Sequence, residues 1–384
     1  CSRPGWSRAD MRITAITART VRWPIASQGA ARGRTERAAV IVEVRSAGGA
    51  VGLGEAAPLP GMSLDTLDEA NRSIAGFART APFDVELPPP GRRPVNVEAP
   101  RARGPGLRNP AIDPRPILAI ADRDAMHAFL VAPPAARFAI ETAVLDAIGR
   151  ERGRSIAALF GGSDEPLALA AVVDDAEQAR RAFADGIRCL KIKLAADDDP
   201  GRVFAIAAAV PQARLRIDAN RSWPRAEVAD RLAALAALPI DYVEEPCRDS
   251  HQLLSESLPC PIALDEGLLA MSEVEICVAL RSIPRLAAVV LKPTLLGGFS
   301  VVFPIAALAQ SCRVPPIVSH ALEGPIGSAA CAEIARAIGG RHAVGLAAHA
   351  ALAGWAIAVP QLAADHIHAA ARPGLGFASD LDWP

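Results

Sequence analysis

Three lysines stand among 41 basic residues, at Lys191, Lys193 and Lys292, and every other basic residue is arginine. Arginine keeps its proton at any workable pH, whereas a buried lysine can be tuned into a base. A chain that uses arginine wherever charge alone is needed reserves its lysines for chemistry. Lys191 and Lys193 alternate with Ile192 inside the run 186–194, so a strand projects both from one face. Two adjacent cations depress each other's pKa, and burial acts in the same direction. The expectation is a depressed pair in which Lys193 acts as a base.

Three carboxylates share this placement. Asp218, Glu244 and Asp265 each end or directly follow a short apolar run, at separations of 26 and 21 residues. Each separation is about one strand–helix unit, which delivers the acids to one rim from successive strands. Acids so gathered cannot all stay ionised without a cation. Oxygen-only ligands in small number suit Mg²⁺, with Mn²⁺ as a substitute. Zinc fits less well, because the sequence shows no Cys/His cluster.

The elements that position these groups begin after residue 166. Short apolar segments at 167–173, 187–194, 214–218, 241–244, 261–264, 286–291, 317–319 and 343–346 alternate with helix-sized, alanine-rich stretches. Eight such strands predict a parallel barrel whose active rim lies at the strand C-termini. Lys193, Asp218, Glu244, Asp265, Lys292 and the pair Ser319-His320 all fall on that rim. Arg216 precedes Asp218 by two residues on the same face and is expected to balance the carboxylates. No G-x-G-x-x-G opens a helix after the first strand, which argues against a dinucleotide fold.

Upstream, 11–23 and 38–45 read as paired strands, 24–37 as a loop of lid length, and 52–62 as a proline-framed turn that ends the sheet. A capped helix starts within 63–70, completing a small α+β unit. The Pro/Arg-rich stretch 82–134 reads as an irregular insertion, and 135–151 as a helix with an apolar stripe at Phe138, Val144, Leu145 and Ile148. The first ten residues read as a disordered leader before a start at Met11. A net charge of −1 offers no field for nucleic acid, and no apolar run is long enough for a membrane span. A small-molecule partner follows. Seven scattered cysteines without a C-x-x-C point to a reducing, cytoplasmic setting. The oligomeric state is not legible.

The motifs Leu190-Lys191-Ile192-Lys193, Ile217-Asp218-Ala219-Asn220, Val243-Glu244-Glu245-Pro246, Leu264-Asp265-Glu266 and Leu291-Lys292-Pro293 resemble, in order and spacing, those of the enolase superfamily and its muconate lactonising subgroup. Gly54-Glu55-Ala56-Ala57-Pro58 is similar to that family's capping-domain signature. Within the subgroup, Glu244-Glu245-Pro246-Cys247, Lys292-Pro293-Thr294-Leu295 and Ser319…Glu323-Gly324 look most like the o-succinylbenzoate synthases.

The resemblance implies a (β/α)7β TIM-like barrel, 135–355, with an α+β N-terminal capping domain, 11–134, and a C-terminal segment, 356–384, that returns to the cap. It implies a Mg²⁺-dependent syn dehydration of a carboxylate substrate, with Lys193 as base, Lys292 as the opposing cation and Lys191 supporting Lys193. Asp218, Glu244 and Asp265 would hold the metal. Asn220, Glu245 and Glu266 would stand behind them, and Ser319, His320, Gly297 and Arg216 would contact substrate. His320 departs from the synthase pattern, which has a small hydroxyl residue there. The mandelate-racemase subgroup has a catalytic histidine at the end of that strand, oriented by an aspartate where this chain has Lys292. His320 is therefore expected to shape the pocket or bond a carboxylate. The alternatives are an N-acylamino-acid racemase and a dipeptide epimerase. The second lacks its Asp-x-Asp here, since 345–349 contains no acid.

Overall fold

The computed structural model describes residues 11–25, 35–87, 117–281 and 285–378. The expected leader, most of the expected lid and the centre of the Pro/Arg-rich stretch lie outside these residues. The N-terminal part comprises β1 (Met11–Pro24), β2 (Glu36–Ser46), β3 (Val51–Ala56), α1 (Leu67–Ala78), β4 (Phe83–Glu86), β5 (Ala119–Ile120) and α2 (Arg123–Leu130). Its five strands form an antiparallel sheet in the order β3-β2-β1-β4-β5. Helix α1 starts at a capping box between Thr66 and Glu69, worth about 1 kcal/mol, and buries Ala70, Ile74 and Phe77. The ends of the stretch expected to be irregular are thus regular, because β4 and β5 extend the sheet.

Strand β3 replaces the first half of the expected turn. Its glycines are not turn residues. A Cβ on Gly54 would lie 1.9 Å from the Ala139 carbonyl oxygen, and one on Gly52 2.0 Å from that of Ala143. Both glycines let the sheet rest directly on the backbone of α3 (Pro134–Glu151). That helix buries 14 of its 18 residues, all round rather than along one stripe, because it runs between the N-terminal sheet and the barrel.

The barrel follows as α4 (Ile156–Leu159), β6 (Leu167–Ala168), β7 (Ala170–Val172), α5 (Ala176–Ala184), β8 (Cys189–Lys193), α6 (Gly201–Ala209), β9 (Arg214–Asp218), α7 (Val228–Leu235), β10 (Ile240–Glu244), β11 (Ile262–Leu264), α8 (Glu273–Ala279), β12 (Leu286–Leu291), α9 (Pro293–Leu296), α10 (Phe299–Ser311), β13 (Pro316–Val318) and α11 (Pro325–Ile338). Strands β7 to β13 form one parallel sheet in chain order. The eighth position is two bridges, Val344 to Leu169 and Gly345 to Ser319, which close the ring. Gly345 N–H donates to the Val318 carbonyl and Ala170 N–H to that of Val344, each at 2.9 Å. Strand β14 (His366–Ile367) pairs with β6, and the chain then returns to α3, where Asp146 accepts from Leu53 N–H and Leu375 N–H.

Residues two apart on a strand share a face, so the side chains beneath the rim fill the barrel interior. Tyr242, Ala263, Ala288, Val290 and Ile317 pack there, beside Ala170, Cys189 and Ala343. The six cysteines among the described residues are free thiols. Among the described residues no helix is long and apolar enough to cross a membrane.

Candidate active site

Register sets the site. Lys193, Asp218 and Glu244 are paired neighbours on β8, β9 and β10, and Lys191, Arg216 and Tyr242 form the paired row below. From that lower row Lys191 Nζ reaches up to Asp218 Oδ2 at 2.9 Å and to both Glu244 oxygens at 2.8 and 2.9 Å. Across the ring, Lys292 at the end of β12 donates to Asp265 Oδ2 and, at 3.0 Å, to Glu266 Oε1. Lys193 on the second strand and Lys292 on the sixth of eight positions therefore flank the carboxylates from opposite sides.

The electrostatics correct one expectation. Burial alone would lower Lys191, but Asp218, Glu244 and Asp265 outweigh it and hold the ammonium well above its ordinary range. The sequence suggested a cation beside a cation, whereas the fold gives Lys191 three anions. Asp218 shows the reciprocal effect: against the upward push of burial, Lys191, Lys193 and Lys292 pull it down to about 2. Asp265 is pushed well above the usual carboxylate range, first by burial and then by Glu266 and Glu244, with Lys292 opposing. Burial also works against the charge on Lys292, but Asp265, Glu266 and Glu244 raise it above its ordinary value.

Asp218, Glu244, Asp265 and Glu266 crowd one buried patch, and the raised pKa of Asp265 reports the strain of holding so many carboxyl groups together. Buried oxygen donors from neighbouring strands, one of them driven toward protonation, fit a hard divalent cation such as Mg²⁺.

Behind this row, Glu245 Oε1 accepts from Asp265 N–H at 2.8 Å and Gly267 N–H at 2.7 Å. It fixes the turn that carries Asp265. Burial raises Glu245 to about 7, and its backbone sits at φ 42°, a strained value for a non-glycine residue. Asn220, at φ 47°, folds its own N–H back onto Asp218 Oδ1 at 3.0 Å.

The rim opens into a cavity of about 1190 Å³. Lys191, Lys193, Asp218, Asn220, Lys292, Ser319 and His320 line it, with Gln178, Arg181, Asp198, Arg202 and His349. The N-terminal part contributes Leu59 to Met62. That segment is tied to the barrel by buried Arg37, which donates to the carbonyls of Ala57, Pro58 and Leu322 at 2.7, 2.9 and 2.9 Å. Glu55 of β3 accepts the N–H groups of Gly324 and Gly327 at 2.5 and 2.8 Å, capping α11.

Two expected substrate contacts lie elsewhere. Arg216 is buried under the acids, donates to the Ala343 carbonyl at 2.7 Å and lies 5.1 Å over the Tyr242 ring. It plugs the barrel interior, its guanidinium turned to the Ala343 carbonyl and the Tyr242 ring rather than up into the cavity. Gly297 ends α9 at φ 105° and faces the Arg137 guanidinium, outside the cavity wall. Sequence reasoning assigned no role to His349, Gln178, Arg181 or Arg202. The last three are polar residues on α5 and in the first turn of α6, and nothing local distinguishes them from solvated ones.

A parallel barrel with an antiparallel cap carries a rim on which lysines from opposing strands flank buried acids, the arrangement of an enzyme-type site. The chain belongs to the enolase superfamily: the family model described as enolase C-terminal domain-like matches residues 174–383. It is similar to o-succinylbenzoate synthases.

It is 29% identical to the o-succinylbenzoate synthase of Desulfotalea psychrophila over 73% of this chain and 78% of that one. It is 29% identical to the N-succinylamino acid racemase of Thermus thermophilus over 61% of this chain and 62% of that one. The Mycobacterium tuberculosis o-succinylbenzoate synthase is 37% identical, over 38% of this chain and 44% of its own length. The fold matches a dipeptide epimerase from Enterococcus faecalis (TM-score 0.72, 21% identity, 95% and 99% of the two chains). It also matches a muconate cycloisomerase from Pseudomonas fluorescens (TM-score 0.72, 22% identity, 97% of each).

Proposed function

We propose that the protein is a Mg²⁺-dependent o-succinylbenzoate synthase. It dehydrates 2-succinyl-6-hydroxy-2,4-cyclohexadiene-1-carboxylate to 2-succinylbenzoate, a step of menaquinone biosynthesis, in the cytoplasm. The observation that carries this reading is the pair Lys193 and Lys292 on opposing strands, with Asp218, Glu244 and Asp265 between them. Those three acids would hold the ion. When bound, it supplies positive charge where the substrate carboxylate becomes electron-rich on losing its α-proton. Enolase-type sites with a lysine or histidine base and Mg²⁺ are a general pattern.

Lys193, open to the cavity, takes the proton α to the carboxylate and returns it to the departing hydroxyl on the same face. Lys292, tied to Asp265 and Glu266, stays an ammonium and presents charge to the opposite face of the ring. Lys191 is engaged by Asp218 and Glu244, so it acts by orienting those acids rather than by exchanging protons. Ser319 and the neutral His320 shape the wall on the β13 side.

The same two lysines support a second reading, racemisation of N-acylamino acids, in which one lysine works on each face; the Thermus relative favours it. Dipeptide epimerisation is less well supported, since 345–349 offers no acid for a peptide ammonium. The purified protein should aromatise the cyclohexadiene substrate with a gain in product absorbance. It should exchange the α-proton of N-succinyl amino acids in D₂O slowly or not at all. Faster exchange than dehydration, by kcat/KM, overturns the synthase in favour of the racemase.

A further inference from the structure

We propose that His320, Glu323 and His349 form a second cation site, in the cavity wall, that takes a borderline transition ion such as Zn²⁺. It is separate from the carboxylate set of Asp218, Glu244 and Asp265. One ligand atom from each of the three residues lies within 4.8 Å of the others. Ligands on tetrahedral zinc, at about 2.0–2.2 Å from the metal, sit roughly 3.3 Å apart, so the set closes once one imidazole is reoriented. The sequence hides the set, because His349 joins His320 and Glu323 only once the seventh and eighth strand positions meet.

Each member is suited to the role. Glu323 is fully buried and already oriented, accepting from the Thr294 hydroxyl at 2.6 Å and from Ala321 N–H at 2.7 Å. Carboxylates that ligate metals are held by such partners, and each oxygen keeps a further lone pair. His349 pairs one nitrogen with the Ser328 hydroxyl at 3.3 Å, while its Nδ1 is buried with no partner. His320 Nδ1 receives only a long contact, 3.3 Å, from Leu322 N–H.

The rings stack with centroids 3.9 Å apart, so one must swing for the lone pairs to converge. His349, with its orphaned nitrogen, has least to lose by moving. Both imidazoles are neutral, as ligands must be: burial, then each one's cationic or imidazole neighbours, lowers His320 well below its usual value and His349 to about 3. Two imidazoles and one carboxylate favour Zn²⁺ or Co²⁺, whereas the all-oxygen rim set favours Mg²⁺. Because His320 and His349 line the cavity, a bound ion keeps an open position facing it.

The test uses Co²⁺ as a visible probe on metal-stripped protein held in saturating Mg²⁺. One Co²⁺ per chain should bind, with the visible absorption of a four- or five-coordinate N/O site, and Zn²⁺ should bleach it. His349→Ala and Glu323→Gln should each weaken Co²⁺ binding by more than the roughly 100-fold that loss of a supporting partner costs. Asp218→Asn should leave the spectrum unchanged. Circular dichroism checks folding, and His320→Asn is the replacement if buried Glu323→Gln does not fold. No stoichiometric Co²⁺ signal overturns the proposal, as does a signal that survives His349→Ala or vanishes in Asp218→Asn. None of these outcomes depends on which reaction the rim catalyses.

Discussion

Replacing Glu55 by glutamine should change how stability depends on pH. Glu55 is wholly buried where the N-terminal sheet meets the barrel, and it accepts two N–H groups at the start of α11. Burial raises its pKa from 4.5 to about 7, with the two backbone bonds and Arg37 opposing and Glu323 assisting. In the unfolded chain the group ionises near its ordinary value. Between the two pKa values the folded state therefore holds more protons than the unfolded one, and stability falls as pH rises. The stabilising share is complete below 4.5 and lost by the time pH passes about 7.

The rise from 4.5 to about 7, at about 1.36 kcal/mol for each tenfold change in proton affinity, is worth roughly 3 kcal/mol. Glutamine cannot ionise, so Glu55→Gln removes this loss. The fixed cost of replacing one accepting oxygen by an amide is common to all pH values and cancels in the comparison. Urea unfolding of wild type and variant at pH 4 and pH 8 measures the effect. The variant should gain about 3 kcal/mol on wild type between the two conditions. Parallel pH curves for the two proteins would refute the reasoning and remove Glu55 as a buried acid at this joint.

Lys193→Arg and Lys193→Ala should both abolish turnover with unchanged circular dichroism, because arginine keeps the charge but cannot accept the proton; activity in either excludes Lys193 as the base. Dialysis against a chelator should silence the enzyme and Mg²⁺ or Mn²⁺ should restore it, while Asp218→Asn, Glu244→Gln and Asp265→Asn each weaken Mg²⁺ binding by calorimetry. Turnover that persists after chelation ends the metal assignment. Gly267→Ala places a Cβ 2.6 Å from Glu245 Oε1. It should displace the carboxylate that holds Asp265 and cost roughly 10–100-fold in Mg²⁺ affinity, and unchanged affinity would show that Glu245 does not position the site. Lys292→Arg should retain part of a syn dehydration but none of a racemisation, which a side-by-side rate comparison decides.

The barrel and its rim were legible because both repeat. A short apolar run ending in Lys, Asp or Glu recurs at strand–helix intervals, and parallel register carries that regularity straight into space. The N-terminal part was harder. Gly52 and Gly54 carry the local signature of a turn, and only the nearness of the α3 backbone explains them as strand residues. The sign of the Lys191 shift was hidden for a similar reason. Alternation shows that Lys191 neighbours Lys193, but not that its longer reach brings it to Asp218 and Glu244. Arg216 and Gly297 were placed at the substrate by proximity in sequence, which fixes a face but not a depth. His349 gave no signal, since its partners come from β13 and α11.

The two bridges at Val344 and Gly345 divide the ring into unequal arcs. From β8 to β12 the strands are joined by parallel ladders, and this arc holds every residue assigned to proton transfer or to Mg²⁺. The opposite arc is a seam of a few hydrogen bonds, bordered by Ser319, His320 and the 347–349 loop. Substitutions and length changes in that seam can reshape what the cavity admits without disturbing the geometry of the chemistry. Inheritance can therefore alter selectivity and reactivity as separate traits, and a new substrate requires only that the soft arc be rewritten.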